Sequence, residues 1–574
     1  MFWINESHLR VKENTMLKMM KVLLILSAIS STGFAYAENL NPSARVDQLE
    51  EARQQEFARR TRLGQSWIEI KEKETSGKED HESSPVVSFL IGQITLEGKP
   101  EALDFLEDKW HFTTPRAMTM KGINGMAERL NRKLLDKGYV TSRIVIPEQN
   151  ISVGRLTLLF LPGRIHHIYC KEGSPDIPWR NAFPISEGDL LNVRLLEQGL
   201  EQMKRVTSLD ISMNLIPSET EGMTDVELSV TKGKQLYGAL SLDDSGLKET
   251  GRLRWNLDLG IDRLFNANDI FRYSVSLDGE KDGHERNSRS QSMYYSIPHG
   301  KDTFSISHTY NTYHETAASR PFPLNYSGKT HLTRFTYDHM ISRSRTEKRD
   351  VDISIIKRNT HTYLNDTEIP VQEIDSSAME IGLSDRVYAG ESTLYGRLAY
   401  RKGMGWLGSK AENEYGDGPT TRYRMWLMDM DFQKPFHLGG RPSSFTASFH
   451  GQWTAQGERL HGVDMISLGN RYTIRGFDGE YTLMSESGWF LRNELESTLP
   501  KLKNSVYLGL DVGAVYGPSA ENLAGKTLAG MALGIRGNMT NGLFYDAFIS
   551  HSLYKPEGMH TKKWPAGFMA GYRF

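Results

Sequence analysis

The chain has 574 residues, with 69 Lys plus Arg against 71 Asp plus Glu. That balance excludes the basic excess of a protein whose main partner is nucleic acid. Cys170 is its single cysteine, which excludes an intramolecular disulfide and leaves a core or a closed sheet to hold an exported chain together. Mean hydropathy is −0.48, and only one stretch is apolar enough to suggest a membrane.

That stretch, residues 22–37, follows Lys18 and Lys21 and ends in Ala35-Tyr36-Ala37. A charged start, a short apolar centre and a small-residue exit have the form of a secretory signal peptide. The apolar centre is too short to span a bilayer comfortably as an anchor. Met16 then reads as the real start, and 1–37 as an upstream extension plus signal peptide. Residues 39–60, NLNPSARVDQLEEARQQEFARR, are good helix-forming material with Asn41-Pro42 near the start. Only Leu49, Ala52 and Phe57 make a thin apolar stripe. A helix polar all round is no core helix, so it sits in solvent or in a wet cavity. Residues 71–85, KEKETSGKEDHESSP, are charged, Ser-rich and without period, and read as a flexible linker.

From Val86 to about Lys234 the chain reads as α+β in two similar units. In the first, Ile123, Met126, Leu130 and Leu134 recur at helical spacing up to Gly138. YVTSRIVIP and GRLTLLFLPGRI follow as two strands around a turn at 148–154. In the second, Leu196, Leu200 and Met203 mark a helix, and DISMNLIPS and DVELSVTKG supply two strands. The repeat predicts two small domains of one type, at 86–164 and 165–234. His166, His167 and Cys170 lie close together but offer no evident fourth ligand, so no metal is expected.

From about Gln235 period-two alternation takes over. Leu253, Trp255, Leu257 and Leu259 share one face against Arg252, Arg254, Asn256 and Asp258. Val506, Leu508, Leu510, Val512, Ala514 and Tyr516 oppose Ser505, Tyr507, Gly509, Asp511, Gly513 and Val515. The last residues alternate too, with Phe568, Tyr572 and Phe574 on the apolar face. A sandwich would turn such faces to a core and a membrane barrel to lipid. The predicted strands have the length needed to cross hydrocarbon when tilted. Small and charged residues together suit a wet lumen, and a closing aromatic strand at Phe574 suits a sheet that cannot leave an open edge in lipid. At roughly 20 residues per strand plus connection, 235–574 holds about 16 strands, within a range of about 14–18.

Between two of these strands runs a long connection, about 456–487, containing Ile474, Arg475, Gly476 and Phe477. Loops of such length are usually functional. Asp511 lies on the face assigned to the lumen, two residues from Gly513, and an enclosed carboxylate needs a partner. Arg475 would serve if the loop folds inward, because its planar fork matches a carboxylate. Spacing alone fits equally an exposed Arg475 on an outer loop and an Asp511 solvated by pore water.

Tandem soluble units, barrel and loop together resemble the outer-membrane transporters of two-partner secretion, the haemolysin-activation/secretion family of the Omp85 superfamily. LLDKGYVTSRIVIPEQNISVGRLTLLFLPGRI is similar to that family's first POTRA domain, DDSGLKETGR to its approach to the barrel and RNTHTYLNDTEI to a mid-barrel segment. IRGF, Ile474–Phe477, is similar to the signature at the tip of its sixth extracellular loop, and LDVG to its D-x-G wall motif. The resemblance implies a transmembrane β-barrel of 16 antiparallel strands, a plug helix at 38–62, a linker at 63–85, POTRA domains at 86–164 and 165–234, and a pair between Arg475 and Asp511. It implies that Tyr572 and Phe574 belong to a C-terminal barrel-assembly signal. One departure stands out: Gly509 occupies a position where some superfamily members carry an aromatic.

What the resemblance implies in function is export of a large exoprotein (a haemolysin, an adhesin or a contact-dependent toxin) from the periplasm, without ATP and without a cofactor. No nucleotide-binding signature is present. Outer-membrane lipid would surround the barrel, with periplasmic chaperones and the barrel-assembly machinery as partners during biogenesis, and no nucleic acid. A barrel-insertion factor is the alternative from the same superfamily. A passive porin lacks tandem periplasmic domains, and no G-x-S-x-G elbow points to an enzyme.

Overall fold

The computed structural model describes residues 42–64, 68, 87–107, 109–280, 286–317, 324–410, 418–499, 504–539 and 541–574. The signal peptide expected over 1–37 and the linker expected over 71–85 lie outside the described residues.

Helix α1 (Pro42–Leu63) comes first. The first small domain follows as β1 (Ser88–Glu97), β2 (Lys109–Thr119), α2 (Met120–Asp136), β3 (Arg143–Val145) and β4 (Arg155–Leu161), with strand order β2-β1-β4-β3. Thr119 starts α2 by accepting from the Gly122 amide at 3.1 Å. Ile123, Ala127, Leu130 and Leu134 are its buried stripe, and Gly138, at φ +93°, lets the chain leave the helix. The second domain comprises β5 (Arg164–Cys170), α3 (Val193–Lys204), β6 (Leu209–Pro217) and β7 (Met223–Lys232), in the order β5-β7-β6.

Two expectations change here. The first unit is not a helix plus strand pair, since β1 and β2 precede its helix and pair with each other over 88–119. The run GRLTLLFLPGRI is not one strand. Pro162 has no amide to donate, and a side chain at Gly163 would meet Thr141 Oγ1 at 2.1 Å. The chain breaks there, β4 completes one sheet, and β5 starts the next by pairing with β7.

The barrel is closed. Its strands are β8 (Leu236–Asp243), β9 (Arg254–Asp262), β10 (Ile270–Asp278), β11 (Arg286–His299), β12 (Asp302–Ala317), β13 (Leu324–Arg343) and β14 (Glu347–Leu364). A two-residue β15 (Thr367–Glu368) only extends the turn beyond β14. Then come β16 (Ile374–Ala389), β17 (Ser392–Met404), β18 (Arg424–Leu438) and β19 (Arg441–Thr454). The connection after β19 holds the hairpin of β20 (Ile466–Leu468) and β21 (Leu483–Ser485). The wall resumes with β22 (Ser487–Leu499), β23 (Asn504–Tyr516), β24 (Thr527–Asn538), β25 (Leu543–Tyr554) and β26 (Ala566–Arg573). Apart from β15, that makes 16 wall strands.

Antiparallel pairing of β26 with β8, Tyr572 opposite Leu240, closes the cylinder. Phe574 and Gly238 exchange backbone hydrogen bonds of 3.0 and 3.1 Å at the end of that seam. Closure satisfies the ladder without an edge, as lipid demands. The alternation then sorts side chains by solvent: Leu510 is 48 % exposed on the outside and Asp511 3 % exposed on the inside. Tyr572 and Phe574 face outward and are exposed.

The second domain is seated on one rim of the barrel. Gln202 donates to Thr303 Oγ1 at 3.0 Å, and the Ser208 amide donates to Asp262 at 2.8 Å. Arg343 of β13 lies 3.5 Å from Glu197 of α3 and donates to the Ile68 carbonyl at 3.0 Å. Ile68 therefore lies at the junction between domain and barrel.

Candidate functional site

Helix α1 and the connection 455–486 share the lumen. The connection braces itself first: Asn470 Oδ1 accepts from the amides of Tyr472 and Thr473 at 2.9 and 3.1 Å, and Thr473 Oγ1 accepts from those of Gly469 and Asn470 at 3.2 and 3.3 Å. Ile474 and Phe477 are buried in one apolar cluster with Leu468 and Leu483 of the hairpin and Val515 and Leu528 of the wall. Hydrophobic contact thus presses the tip against the wall and leaves Arg475 between.

Arg475 is 4 % exposed. Its Nε donates to Asp511 Oδ2 at 2.8 Å and its Nη2 to Asp511 Oδ1 at 2.8 Å, while its own amide adds a third bond to Oδ2 at 2.9 Å. That is the bidentate fork, reinforced by the backbone. The guanidinium also donates to Glu494 at 2.5 Å and to the Asn493 carbonyl at 3.0 Å. Glu494 is tied in turn to Arg536 at 2.8 Å, which reaches Glu496 at 3.1 Å and Asp546 at 3.5 Å. A loop cation is woven into a wall network, and breaking such a buried pair from one side costs about 3–5 kcal/mol.

The wall makes room with glycines. A Cβ at Gly509 would stand 2.4 Å from Arg475 Cζ, and one at Gly530 would stand 1.7 Å from the Arg475 carbonyl oxygen. A Cβ at Gly513 would meet Ile474 Cδ1 at 2.9 Å. Gly476 has φ +109°, and a Cβ there would meet the His551 carbonyl oxygen at 2.5 Å. The departure at Gly509 now has its reason: the guanidinium occupies the space an aromatic ring would take.

The helix is held by polar contacts. Asp47 accepts from Asn311 at 2.8 Å and Thr330 at 2.7 Å. Arg53 donates to Asn256 at 3.0 Å, Arg59 to Ser448 at 2.7 Å and Arg62 to Asp431 at 3.2 Å. Wall arginines answer its acids: Arg358 meets Glu51 at 2.5 Å and Arg492 meets Glu56 at 3.3 Å. The loop holds it too, since Arg45 donates to the Glu480 carbonyl at 3.0 Å and Gln48 to those of Gly462 and Met465 at 2.5 and 3.1 Å. Of the thin apolar stripe of Leu49, Ala52 and Phe57, Leu49 packs beside Val46 against Leu247 and Tyr313, while Phe57 is 59 % exposed. Ala44, near the start of the helix, is buried in a second small apolar cluster.

Sequence reasoning missed Glu494, Arg492 and Arg536. The signal was there: Arg492, Glu494 and Glu496 alternate on one face of β22, and charges at period two on a lipid-spanning strand belong to the lumen. One group of metal-type ligands exists among the described residues. His361, Glu368 and Glu373 bring ligand atoms within 4.8 Å of one another, but Lys410 sits 2.5 Å from Glu373, so an ammonium already balances that corner.

With this geometry in hand, comparison with known proteins is informative. The haemolysin secretion/activation protein family ShlB/FhaC/HecB matches residues 222–537. A ShlB-type POTRA domain matches 89–163, and a further POTRA domain matches 164–217. The outer membrane transporter CdiB-2 of Burkholderia pseudomallei (strain 1026b) is 37 % identical over 79 % of this chain and 78 % of its own. The hemolysin transporter protein HpmB of Proteus mirabilis is 25 % identical over 87 % and 89 %. The solved structure of CdiB from Acinetobacter baumannii superposes with a TM-score of 0.80 at 26 % identity, covering 93 % of this chain and 99 % of that one.

Gly509→Ala is expected to push the guanidinium off Asp511. Over-packing of this kind lowers stability by about 1–3 kcal/mol, to be read as a shift in the urea midpoint of the folded barrel. An unchanged midpoint would show that the loop tip gives way without loss.

Proposed function

The chain belongs to the haemolysin secretion/activation protein family, and on that premise we propose how its lumen works. It is an outer-membrane transporter of two-partner secretion, with its POTRA domains in the periplasm, that passes an exoprotein to the cell surface. Cargo reaches the pore through the POTRA domains. Among the described residues β2 ends the first sheet and β6 the second, and an unfolded chain can add to such an edge by main-chain hydrogen bonds. Greater similarity to a CdiB transporter than to a hemolysin transporter, 37 % against 25 % identity, favours a contact-dependent toxin over a haemolysin as that cargo.

In the resting state α1 fills the lumen. The single observation that carries this reading is the polarity of its grip: hydrogen bonds and ion pairs to the wall at Asp47, Glu51, Arg53, Glu56, Arg59 and Arg62. Water can replace each of these contacts when the helix leaves, whereas a large buried apolar face could not leave cheaply. While the helix is seated, the loop is clasped to the wall at Arg475. Folding of the cargo outside the cell then makes its return unfavourable, so export runs without a nucleotide.

Deleting residues 42–63 is expected to raise single-channel conductance in planar bilayers several-fold; an unchanged conductance would mean that the helix does not close the pore. Arg475→Ala removes the buried cation and strands Asp511, a loss of about 3–5 kcal/mol of local hold. Secretion of the cognate exoprotein is expected to fall at least about tenfold, while the barrel still inserts and migrates as a folded species. Normal secretion by that variant would overturn the role of the clasp.

A further inference from the structure

Arg492 stands where the helix, the loop and the wall meet. It projects from β22 into the lumen, directly across the ladder from Asp511, and is 8 % exposed. Its Nη1 serves two masters, Glu56 of α1 at 3.3 Å and the Tyr472 carbonyl of the loop at 2.8 Å. Its Nε is buried and makes no hydrogen bond. Asp511, opposite, accepts three of the hydrogen bonds that hold Arg475, and Glu494 and the Asn493 carbonyl accept the others.

While the helix is in place, Glu56 balances Arg492. Glu56 also holds Arg59 and Arg60 at 2.8 and 2.7 Å, so these three charges leave as a group with the helix. What stays behind is a wall guanidinium with an idle donor, in a lumen that water now enters, facing Asp511 across the ladder. A charge that has lost its partner pairs with an opposite charge fixed a few ångströms away, and more strongly in a confined lumen than in bulk water. The carboxylate across the ladder is Asp511, and a second arginine on it weakens the hold of the first by competing for its oxygens and by like-charge repulsion.

We propose that Arg492 couples the two lumen elements: exit of α1 turns Arg492 from Glu56 to Asp511 and loosens the Arg475 clasp, so that the loop yields only after the helix has gone. Arg492 is thus a positioning residue that acts through Asp511, and it sets an order of opening. The proposal rests on the reading that α1 leaves the lumen.

The test follows the loop by chemistry. In full-length chain carrying Cys170→Ser, Thr473→Cys places a thiol at a buried loop position beside the clasp. Its rate of reaction with a small maleimide is measured in detergent-solubilised barrel for the intact chain, the 42–63 deletion, Arg492→Gln, and the deletion combined with Arg492→Gln. Deletion is expected to raise the rate about tenfold, the scale of one charge-assisted hydrogen bond. Adding Arg492→Gln to the deletion is expected to bring the rate back toward that of the intact chain. Simple opening of the lumen is common to both deleted chains and cannot produce that reversal. Glu56→Gln, which keeps the helix in the chain, is expected to raise the rate by a smaller factor.

The coupling is overturned if the double variant reacts as fast as the deletion alone, or if deletion raises conductance without changing the thiol rate. Unchanged conductance on deletion would instead overturn the plug reading on which the coupling rests.

Discussion

A closed sheet in lipid leaves charged side chains one place to go, and the organisation of this protein follows from how they are paired there. The outer surface is apolar because hydrocarbon admits nothing else. The lumen therefore collects arginines and carboxylates at close range, where unpaired charge is expensive. Wall groups pair with wall groups at Arg536–Glu494 and at Arg397–Glu380. Others are completed only by what is placed inside: Arg358 by Glu51, Arg492 by Glu56 and Asp511 by Arg475. Helix and loop are counter-charges to a cylinder that is not balanced without them.

The two inserted elements answer that demand differently. The helix offers charge with little apolar area, so each of its contacts has an aqueous substitute. The loop combines its one key cation with an apolar wedge of Ile474 and Phe477 and a wall relieved of side chains at Gly509, Gly513 and Gly530. Close backbone approach, a bidentate pair and a hydrophobic seat act together at one point.

At the periplasmic rim the second POTRA domain is fastened to the barrel by α3 and by the turn after it, and Ile68 lies at this junction. The periplasmic domains and the barrel thus share a boundary. Arg343, almost fully buried there, touches the domain at Glu197 and the linker at the Ile68 carbonyl, which places one side chain against both parts.

Much of this was legible in the chain. Period-two alternation in 235–574 identified a membrane barrel and assigned Leu510 outward and Asp511 inward, because strand geometry alone decides which side chains share a face. Near-complete polarity around 39–60 left solvent or a wet cavity as the place for a helix there. Local chemistry also decided the end of the first domain's helix at Gly138. What the chain could not reveal depends on residues far apart in sequence. Spacing could not choose between an exposed Arg475 and one clasped to Asp511; the family resemblance supplied that pairing. The role of Gly509 depends on where a loop 30-odd residues away brings a guanidinium. Phe57 stays exposed and Glu56 becomes buried because the lumen wall, not the helix, decides which face finds partners. Alternation determined which side of the wall each charge faces, and only the closed cylinder decided which charge it meets there, since pairing across a lumen is set by register and curvature that no local pattern encodes.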